Sequence, residues 1–149
     1  MDNITIRKMT ISDLDEIDHI GFNNFDDFWS INTLRSELIK DDINTNYFIA
    51  IKYDEILGFI GTLKIIDELN IMNIAVRKDF RHLGVGSSLL SAVINYCNSE
   101  NISTITLEVN TKNNFAINLY EKYGFKIIGL RKKYYNNIDD ALIMSLYLK

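Results

Sequence analysis

The chain has 149 residues, of which 47% are hydrophobic and 24% charged, and its formal net charge is −4. This length suits one globular domain with its own core, and the composition excludes a disordered chain, a collagen-like chain and a small disulfide scaffold. The acidic balance argues against direct nucleic-acid binding, which usually requires a basic surface. We therefore predict a single domain over residues 1–149.

The sequence also argues against a membrane segment and a cysteine-based metal site. Its apolar runs are far shorter than the roughly 20 residues that span a bilayer, and its first residues lack the pattern of a signal peptide. Cys97 is the single cysteine, which rules out an internal disulfide and a cysteine-rich zinc site. We expect a cytoplasmic protein with no membrane partner and no bound metal, and we interpret Cys97 as an inert core residue.

The first half of the chain predicts two helices and an antiparallel meander. Ser12 is placed to cap a first helix, and residues 30–40 carry the apolar stripe of a second. Segments rich in strand-forming residues predict strands near residues 4–9 and at 46–52, 56–66 and 69–76. Gly58 and Gly61 interrupt the third of these strands, where either glycine would mark a β-bulge.

The second half alternates strands and helices. Val85, Leu89, Val93 and Cys97 recur every four residues, which predicts a helix with one apolar face. In chain order the predicted elements are a helix at 84–98, a strand at 104–110, a helix at 113–123 ended by Gly124, and strands at 125–130 and 141–148. An antiparallel meander followed by β-α-β-α-β-β predicts an α/β fold with a mixed sheet.

The turn before the helix at 84–98 has the composition of a phosphate-binding loop. It reads Arg81-His82-Leu83-Gly84-Val85-Gly86-Ser87. Glycines let the backbone approach a ligand closely, and the first turn of a helix offers free N–H groups at the positive end of its dipole. The spacing is neither that of a dinucleotide-binding motif nor that of a Walker motif. It predicts a pyrophosphate site to which Arg81 adds charge, and a plain strand-to-helix turn is the alternative.

This loop resembles the acyl-CoA loop of the GNAT acetyltransferase superfamily, Arg/Gln-x-x-Gly-x-Gly/Ala, through Arg81, Gly84 and Gly86. Residues 113–125 are similar to its second hallmark, Asn-x-x-Ala-x-x-Leu-Tyr-x-x-x-Gly-Phe. Within the superfamily the chain most resembles the ribosomal-protein-alanine N-acetyltransferases, in segments 29–30, 73–76, 107–109, 131–135 and 140–144. The resemblance implies the GNAT fold and direct transfer of an acetyl group from acetyl-CoA to an amine, in particular the N-terminal α-amine of a protein such as a ribosomal protein.

The same resemblance implies roles for individual residues. Glu108 corresponds to the general base and Tyr120 to the acid that protonates the leaving thiolate, whereas spacing alone also allows a solvated glutamate and a core tyrosine. Asn113 corresponds to a residue that contacts the CoA chain, and it would equally suit a helix N-cap. The implied cofactor contacts are Ile74, Ala75, Val76, Arg81, His82, Leu83, Gly84, Val85, Gly86, Ser87 and Asn113, with backbone N–H groups of residues 74–76 facing the thioester carbonyl.

The acceptor side of the site carries fewer signals. Trp29, Tyr134 and Tyr135 match family segments and are predicted to bind the substrate, although the two tyrosines would also fit an edge strand. We interpret the basic run at 131–133 as a solvated turn. The chain contains no proline, so it lacks the prolines that the related pattern carries before Trp29 and at two later loop positions.

Two other functions fit the residues. A small-amine acetyltransferase on the same fold would use Asp26 and Asp27 as a cation site, and a non-catalytic sensor would bind acyl-CoA without turnover. The presence of both Glu108 and Tyr120 argues against the sensor. An α-amine has a pKa of about 7.7–8.0 and a lysine of about 10.4, so a single carboxylate suits an N-terminal amine without excluding small amines.

Overall fold

The structure is a computed structural model, and it describes residues 3–25, 30–40, 42–135 and 139–148. Its helices are α1 (Asp13–Ile20), α2 (Ile31–Ile39), α3 (Val85–Ser99) and α4 (Asn114–Lys122). Its strands are β1 (Thr5–Lys8), β2 (Thr45–Lys52), β3 (Glu55–Ile65), β4 (Glu68–Val76), β5 (Thr104–Asn110), β6 (Lys126–Tyr135) and β7 (Asp139–Tyr147). Short 3-10 turns lie at Phe22–Asn24 and Lys78–Phe80.

Within the described residues, the seven strands form one mixed sheet in the order β1-β2-β3-β4-β5-β7-β6. β4 and β5 are parallel, and every other pair of neighbouring strands is antiparallel. The parallel pair is joined through α3, because parallel neighbours need a long crossover connection. The predicted α/β fold, an antiparallel meander followed by β-α-β-α-β-β, is confirmed.

Helices cover both faces of this sheet. On one face, α3 and α4 pack against it, and α3 buries the predicted stripe that includes Leu89, Val93 and Cys97. On the other face, α1 and α2 bury Leu14 and Leu34. Burial raises the pKa of the Cys97 thiol to about 12, so the thiol stays protonated and unreactive at neutral pH.

The starts of the two N-terminal helices are stabilised differently. Ser30 caps α2, since its hydroxyl oxygen accepts a hydrogen bond from the N–H of Thr33 at 3.1 Å. The predicted cap by Ser12 is wrong: its backbone is already helical, and its side chain makes no cap hydrogen bond. Asp13 organises this turn instead, because its carboxylate accepts the N–H of Thr10 at 2.7 Å and pairs with Arg7 at 2.8 Å.

The meander has two β-bulges, one beside Gly58 in β3, which is one of the two predicted positions, and one opposite Gly61 in β4. At the first, Ala50 pairs with Gly58 while the next residue of β2 pairs with Ile56, so the extra residue lies in β3. At the second, Gly61 pairs with Asn73 while Thr62 pairs with Ile71. The extra residue there lies in β4, which contains no glycine and was not predicted to have a bulge.

The bulge in β4 sits at Met72 and changes which side chains face α3. Ile71, before the bulge, packs into the layer formed with α3 and α4, and Ile74 and Val76, after it, pack into the same layer. Ala75 faces the opposite layer. Side chains alternate strictly in a regular strand, so residues an odd number of positions apart share a face only because of the extra residue.

The last hairpin is longer than predicted. β6 continues to Tyr135, five residues beyond the predicted end, and Arg131 pairs with Ala141 of β7. The interpretation of residues 131–133 as a solvated turn is therefore wrong. The run lies in the outermost strand of the sheet, where charged side chains are common.

Candidate active site

A gap opens between the two central parallel strands. β4 and β5 pair only between residues 68–71 and 104–107, although β4 continues to Val76 and β5 to Asn110. From the bulge at Met72 onward the two strands separate, and a cavity of about 470 Å³ lies between them and against the starts of α3 and α4. The facing edges of both strands have therefore left the β-ladder and can receive a ligand.

The N–H groups of β4 at this gap can be assigned by alternation. Arg77 donates its N–H to the carbonyl of Leu57 in β3 at 2.8 Å. Successive N–H groups of a strand point to opposite sides, so the N–H of Ala75 also points toward β3. The N–H groups of Ile74 and Val76 point the other way, into the gap.

The turn that leads into α3 exposes its backbone. Gly84 has a φ of 90°, in the left-handed region, and a Cβ added there would meet nothing within 4 Å. No side chain in the described part of the chain caps the first turn of α3, so the N–H groups of Val85, Gly86 and Ser87 are available to a ligand. A second cavity of about 300 Å³ lies over this turn.

Three side chains of the same turn lie in different places. Arg81 donates from Nε to the carbonyl oxygen of Val76 at 3.2 Å, which holds its guanidinium at the end of β4 beside the larger cavity. His82 packs edge-on against Phe115 of α4, with 4.6 Å between ring centroids, and lines both cavities. Leu83 is half exposed and lies outside both cavity linings.

Two residues of the loop also serve the packing of α3. Val85 is buried, so it would contact a ligand through its backbone rather than its side chain. A Cβ on Gly86 would lie 3.0 Å from Cδ2 of Leu119 in α4. A glycine at this position thus allows close packing of the two helices and close approach of a ligand.

Asn113 caps α4 and also lies at the larger cavity. Its side-chain oxygen accepts the N–H of Ala116 at 3.1 Å, so its role as the N-cap of α4 is confirmed. It also lines the larger cavity. Asn113 therefore lies beside the space where its ligand contact is predicted.

Glu108 lines the larger cavity from β5, with about a quarter of its side chain (24%) exposed. Nε of Arg131 in β6 lies 2.7 Å from its Oε2 atom. Oε2 is buried, and the contact is an ion pair without hydrogen-bond geometry. Glu108 is therefore a paired carboxylate at the edge of the cavity rather than a freely solvated one.

Tyr120 lies on the α4 side of the same cavity. Only 3% of this residue is exposed, and its ring packs against Phe125 with 5.6 Å between centroids. It nevertheless lines the cavity together with Glu108. Tyr120 is thus both a core residue and a cavity residue, so the two interpretations of its sequence position are compatible.

A polar network next to the cavity was not anticipated from the sequence. Asp139, at the start of β7, accepts a hydrogen bond from the amide of Asn110 at 3.0 Å and pairs with the ammonium of Lys112 at 2.7 Å. The hydrogen bond from Lys112, followed by that from Asn110, holds the pKa of Asp139 below its usual value. The network ties the loop that precedes α4 to β7, and only the three-dimensional pairing of β5 with β7 reveals it.

Arg131 is the other residue of the site that was not predicted, because the sequence indicated a solvated turn at residues 131–133. Its position at the start of segment 131–135, which resembles the ribosomal-protein-alanine N-acetyltransferases, was the available signal. Several acceptor-side predictions cannot be placed: Trp29, Asp26 and Asp27 lie outside the described residues, as do the side chains of Tyr134 and Tyr135.

The described residues contain neither a cluster of metal ligands nor a helix suited to span a membrane. No group of three or more His, Cys, Asp or Glu side chains in them is arranged to hold a metal ion. None of the helices in the same part of the chain has the length and apolar character needed to cross a bilayer.

Comparison with known proteins identifies the family. The model of the acetyltransferase (GNAT) family matches residues 11–125. The ribosomal protein bS18-alanine N-acetyltransferase of Escherichia coli K12 is 32% identical over 145 residues, which cover 95% of this chain and 96% of that protein. The enzyme of the same name from Haemophilus ducreyi is 36% identical over 124 residues, 80% of this chain and 83% of that protein. The chain belongs to the GNAT acetyltransferase family and is an N-acetyltransferase.

Solved structures agree with this assignment. The crystal structure of the ribosomal-protein-S18-alanine N-acetyltransferase from Escherichia coli superposes with a TM-score of 0.87 at 31% identity, covering 98% of this chain and 94% of that one. The structure of Ard1 from Thermoplasma volcanium also gives a TM-score of 0.87, at 27% identity and 99% coverage of both chains. The fold predicted from the resemblance is therefore shown by sequence and by structure.

Proposed function

We propose that this protein transfers the acetyl group of acetyl-CoA directly to the N-terminal α-amine of a protein, with a ribosomal protein as the first acceptor to test. The observation that carries the proposal is the separation of β4 from β5 beside an uncapped, glycine-containing helix start. One opening would thus offer space for a thioester and space for a pyrophosphate, and Glu108 contributes a carboxylate to it.

The residues present fit acetyl-CoA. The N–H groups of Val85, Gly86 and Ser87 point out of an open helix start, where they would bind the pyrophosphate, and Arg81 would add positive charge beside them. His82 and Asn113 border the cavity along the expected path of the CoA chain. Acetyl-CoA supplies the activated acetyl group as a thioester.

Backbone donors of β4 would polarise that thioester. The N–H groups of Ile74 and Val76 face the gap, and N–H groups fixed in position stabilise the negative charge that grows on a carbonyl oxygen during attack. Because the strand is rigid, these donors need no reorganisation when the charge forms.

Glu108 and Tyr120 would handle the protons. The amine nitrogen bonds to the carbonyl carbon, and its proton passes to Glu108 directly or through one water. The carbon–sulfur bond breaks, and the hydroxyl of Tyr120 gives a proton to the leaving thiolate. The products are an acetamide and the CoA thiol, and exchange with water restores Glu108 and Tyr120.

The acceptor is inferred from the relatives and from amine chemistry. The relatives at 32–36% identity are named for acetylating the alanine of ribosomal protein bS18. An α-amine, with a pKa of about 7.7–8.0, is partly neutral at pH 7, whereas a lysine needs much stronger deprotonation. Such an acceptor also implies a cytoplasmic enzyme. As a separate point, we propose that residues 1–149 form one domain, as the sequence predicts.

The test compares acceptors and variants in one assay of CoA release. The acceptors are an alanine-initiated peptide, the same peptide with a blocked N-terminus, spermidine and an aminoglycoside. We expect turnover of the free peptide alone, with kcat lowered about 100-fold or more by Glu108→Gln and by Tyr120→Phe. Glu121→Gln and Tyr147→Phe change exposed residues and serve as matched controls.

The same assay separates the competing functions. Brisk turnover of spermidine or the aminoglycoside without peptide turnover would replace the proposal with a small-amine acetyltransferase. Binding of acetyl-CoA without turnover of any amine would indicate a sensor. Full activity in both Glu108→Gln and Tyr120→Phe would show that the proton-transfer roles are assigned to the wrong residues.

A further inference from the structure

The ion pair between Glu108 and Arg131 joins two strands that are not neighbours. β7 lies between β5 and β6 in the sheet, so the two backbones are two strand spacings, about 10 Å, apart. Nε of Arg131 still reaches to 2.7 Å from Oε2 of Glu108. The arginine side chain must therefore cross the face of β7.

The pairing register explains how this crossing is possible. Glu108 lies opposite Ile143, and Arg131 lies opposite Ala141, two residues earlier on the same strand. Directly paired residues share a face, as do residues two apart, so all four side chains lie on one side of the sheet. Ala141 has a small, fully buried side chain, which leaves room for the arginine to pass.

We propose that Arg131 is a positioning residue that fixes the carboxylate of Glu108 for proton transfer. The pair engages Oε2, which is buried. Because Glu108 also lines the cavity, holding Oε2 would leave Oε1 as the oxygen that serves the amine or its water there. This inference rests on the proposed function, because it assigns Arg131 a role only through Glu108.

The geometry favours positioning over a contribution to stability. About half of the Arg131 side chain (55%) is exposed, and ion pairs exposed to solvent contribute little to folding. Losing the arginine should therefore leave the protein folded. A carboxylate that rotates freely would spend less time in the productive orientation, and small misplacements of catalytic groups reduce rates strongly.

The experiment is a double-mutant cycle on the full chain with acetyl-CoA and the alanine-initiated peptide. We expect Arg131→Met to lower kcat about 10- to 100-fold, with the KM of acetyl-CoA changed less than about twofold. Arg131→Lys should recover part of the loss. In the Glu108→Gln background, Arg131→Met should have no further effect, because the arginine acts through the carboxylate. Lys132→Met removes the next cation along β6, an exposed residue, and should match the wild type.

Other outcomes would overturn the inference. An unchanged kcat in Arg131→Met, or the same fractional loss in the Glu108→Gln background as in the wild type, would exclude positioning of Glu108. A higher peptide KM with unchanged kcat would make Arg131 an acceptor contact instead. A fall in melting temperature that accounts for the lost activity would make it a structural residue. If the single variant Glu108→Gln kept full activity, the proposed base would be wrong. That result is separate from the Arg131 variants, so it distinguishes failure of the proposed function from failure of this inference.

Discussion

Asp13 shows how a single buried carboxylate holds the start of the first helix. Arg7 pairs with both of its oxygens, at 2.8 and 3.0 Å, and the N–H of Thr10 donates to it at 2.7 Å. Burial by itself would raise the pKa of Asp13, but the hydrogen bonds from Arg7 and Thr10 outweigh burial and hold the pKa below its usual value. The ionised form is therefore the one that stabilises the fold.

We predict that Asp13→Asn lowers the free energy of unfolding by about 1–3 kcal/mol at pH 7, because hydrogen bonds to a charged group are lost. A carboxyl with a lowered pKa contributes stability above its unfolded pKa of about 3.9, and the contribution is lost as the pH falls through the lower folded value. Urea denaturation from pH 7 to pH 3 should show the difference from wild type narrowing below about pH 4. An equal loss in Asp15→Asn, which changes an exposed residue of the same turn, would contradict this account.

Gly84 is a second residue whose backbone conformation can be tested, because it precedes the N–H groups proposed to bind the cofactor. Its φ of 90° is unfavourable for any residue with a Cβ, and there is open space around it, so a substitution acts through the backbone alone. Gly84→Ala should cost roughly 1–2 kcal/mol of stability and displace the N–H groups that follow it.

Steady-state kinetics should then show the KM of acetyl-CoA raised severalfold in Gly84→Ala. Gly21→Ala is the matched control, since Gly21 also has a positive φ, of 100°, but ends α1 on the other face of the sheet. An equal increase in both variants would mean that lost stability, rather than the loop, changes the KM.

At the scale of elements, the position of α3 depends on a glycine in β3. A Cβ on Gly58 would lie 2.6 Å from the carbonyl oxygen of Ala75 and 3.2 Å from Cγ1 of Val85. The first of these contacts is with backbone, which cannot move aside cheaply. Gly58 therefore sets how closely β4 and the start of α3 approach β3.

We predict that Gly58→Ala lowers the free energy of unfolding by about 1–3 kcal/mol through overpacking. Gly129→Ala is the matched control, because its Cβ would meet the flexible end of the Ile143 side chain at 3.2 Å. Urea denaturation should show the larger loss in Gly58→Ala. Equal stabilities of the two variants would contradict the proposed close approach.

The elements themselves could largely be predicted because their signals are local. The apolar repeat of α3 and the alternation of β5 identified both elements, the latter at its exact residues. The bulge at Met72 could not be predicted, because a bulge is defined by the pairing of two strands and nothing in the sequence of β4 marks it. β6 was predicted too short because its charged end forms a strand only by pairing with β7.

The whole molecule brings the candidate site together from segments far apart in sequence. The two hallmarks predicted the glycine loop and Tyr120, and the resemblance of segment 107–109 predicted Glu108. Residues from all three line one opening. The pairing of Glu108 with Arg131 required the strand order, which places β7 between β5 and β6. Spacing along a chain does not specify which side chains meet across a sheet, so that contact was beyond prediction.

The central claim is acetyl transfer to an N-terminal α-amine, and its most direct test is the position of the acetyl group on one peptide. The peptide should begin with alanine and contain one internal lysine, so that both amines compete under identical conditions. After reaction with acetyl-CoA and the purified enzyme, tandem mass spectrometry should locate the acetyl group on the α-amine. Acetylation of the lysine alone, or of neither amine while spermidine is acetylated, would contradict the account.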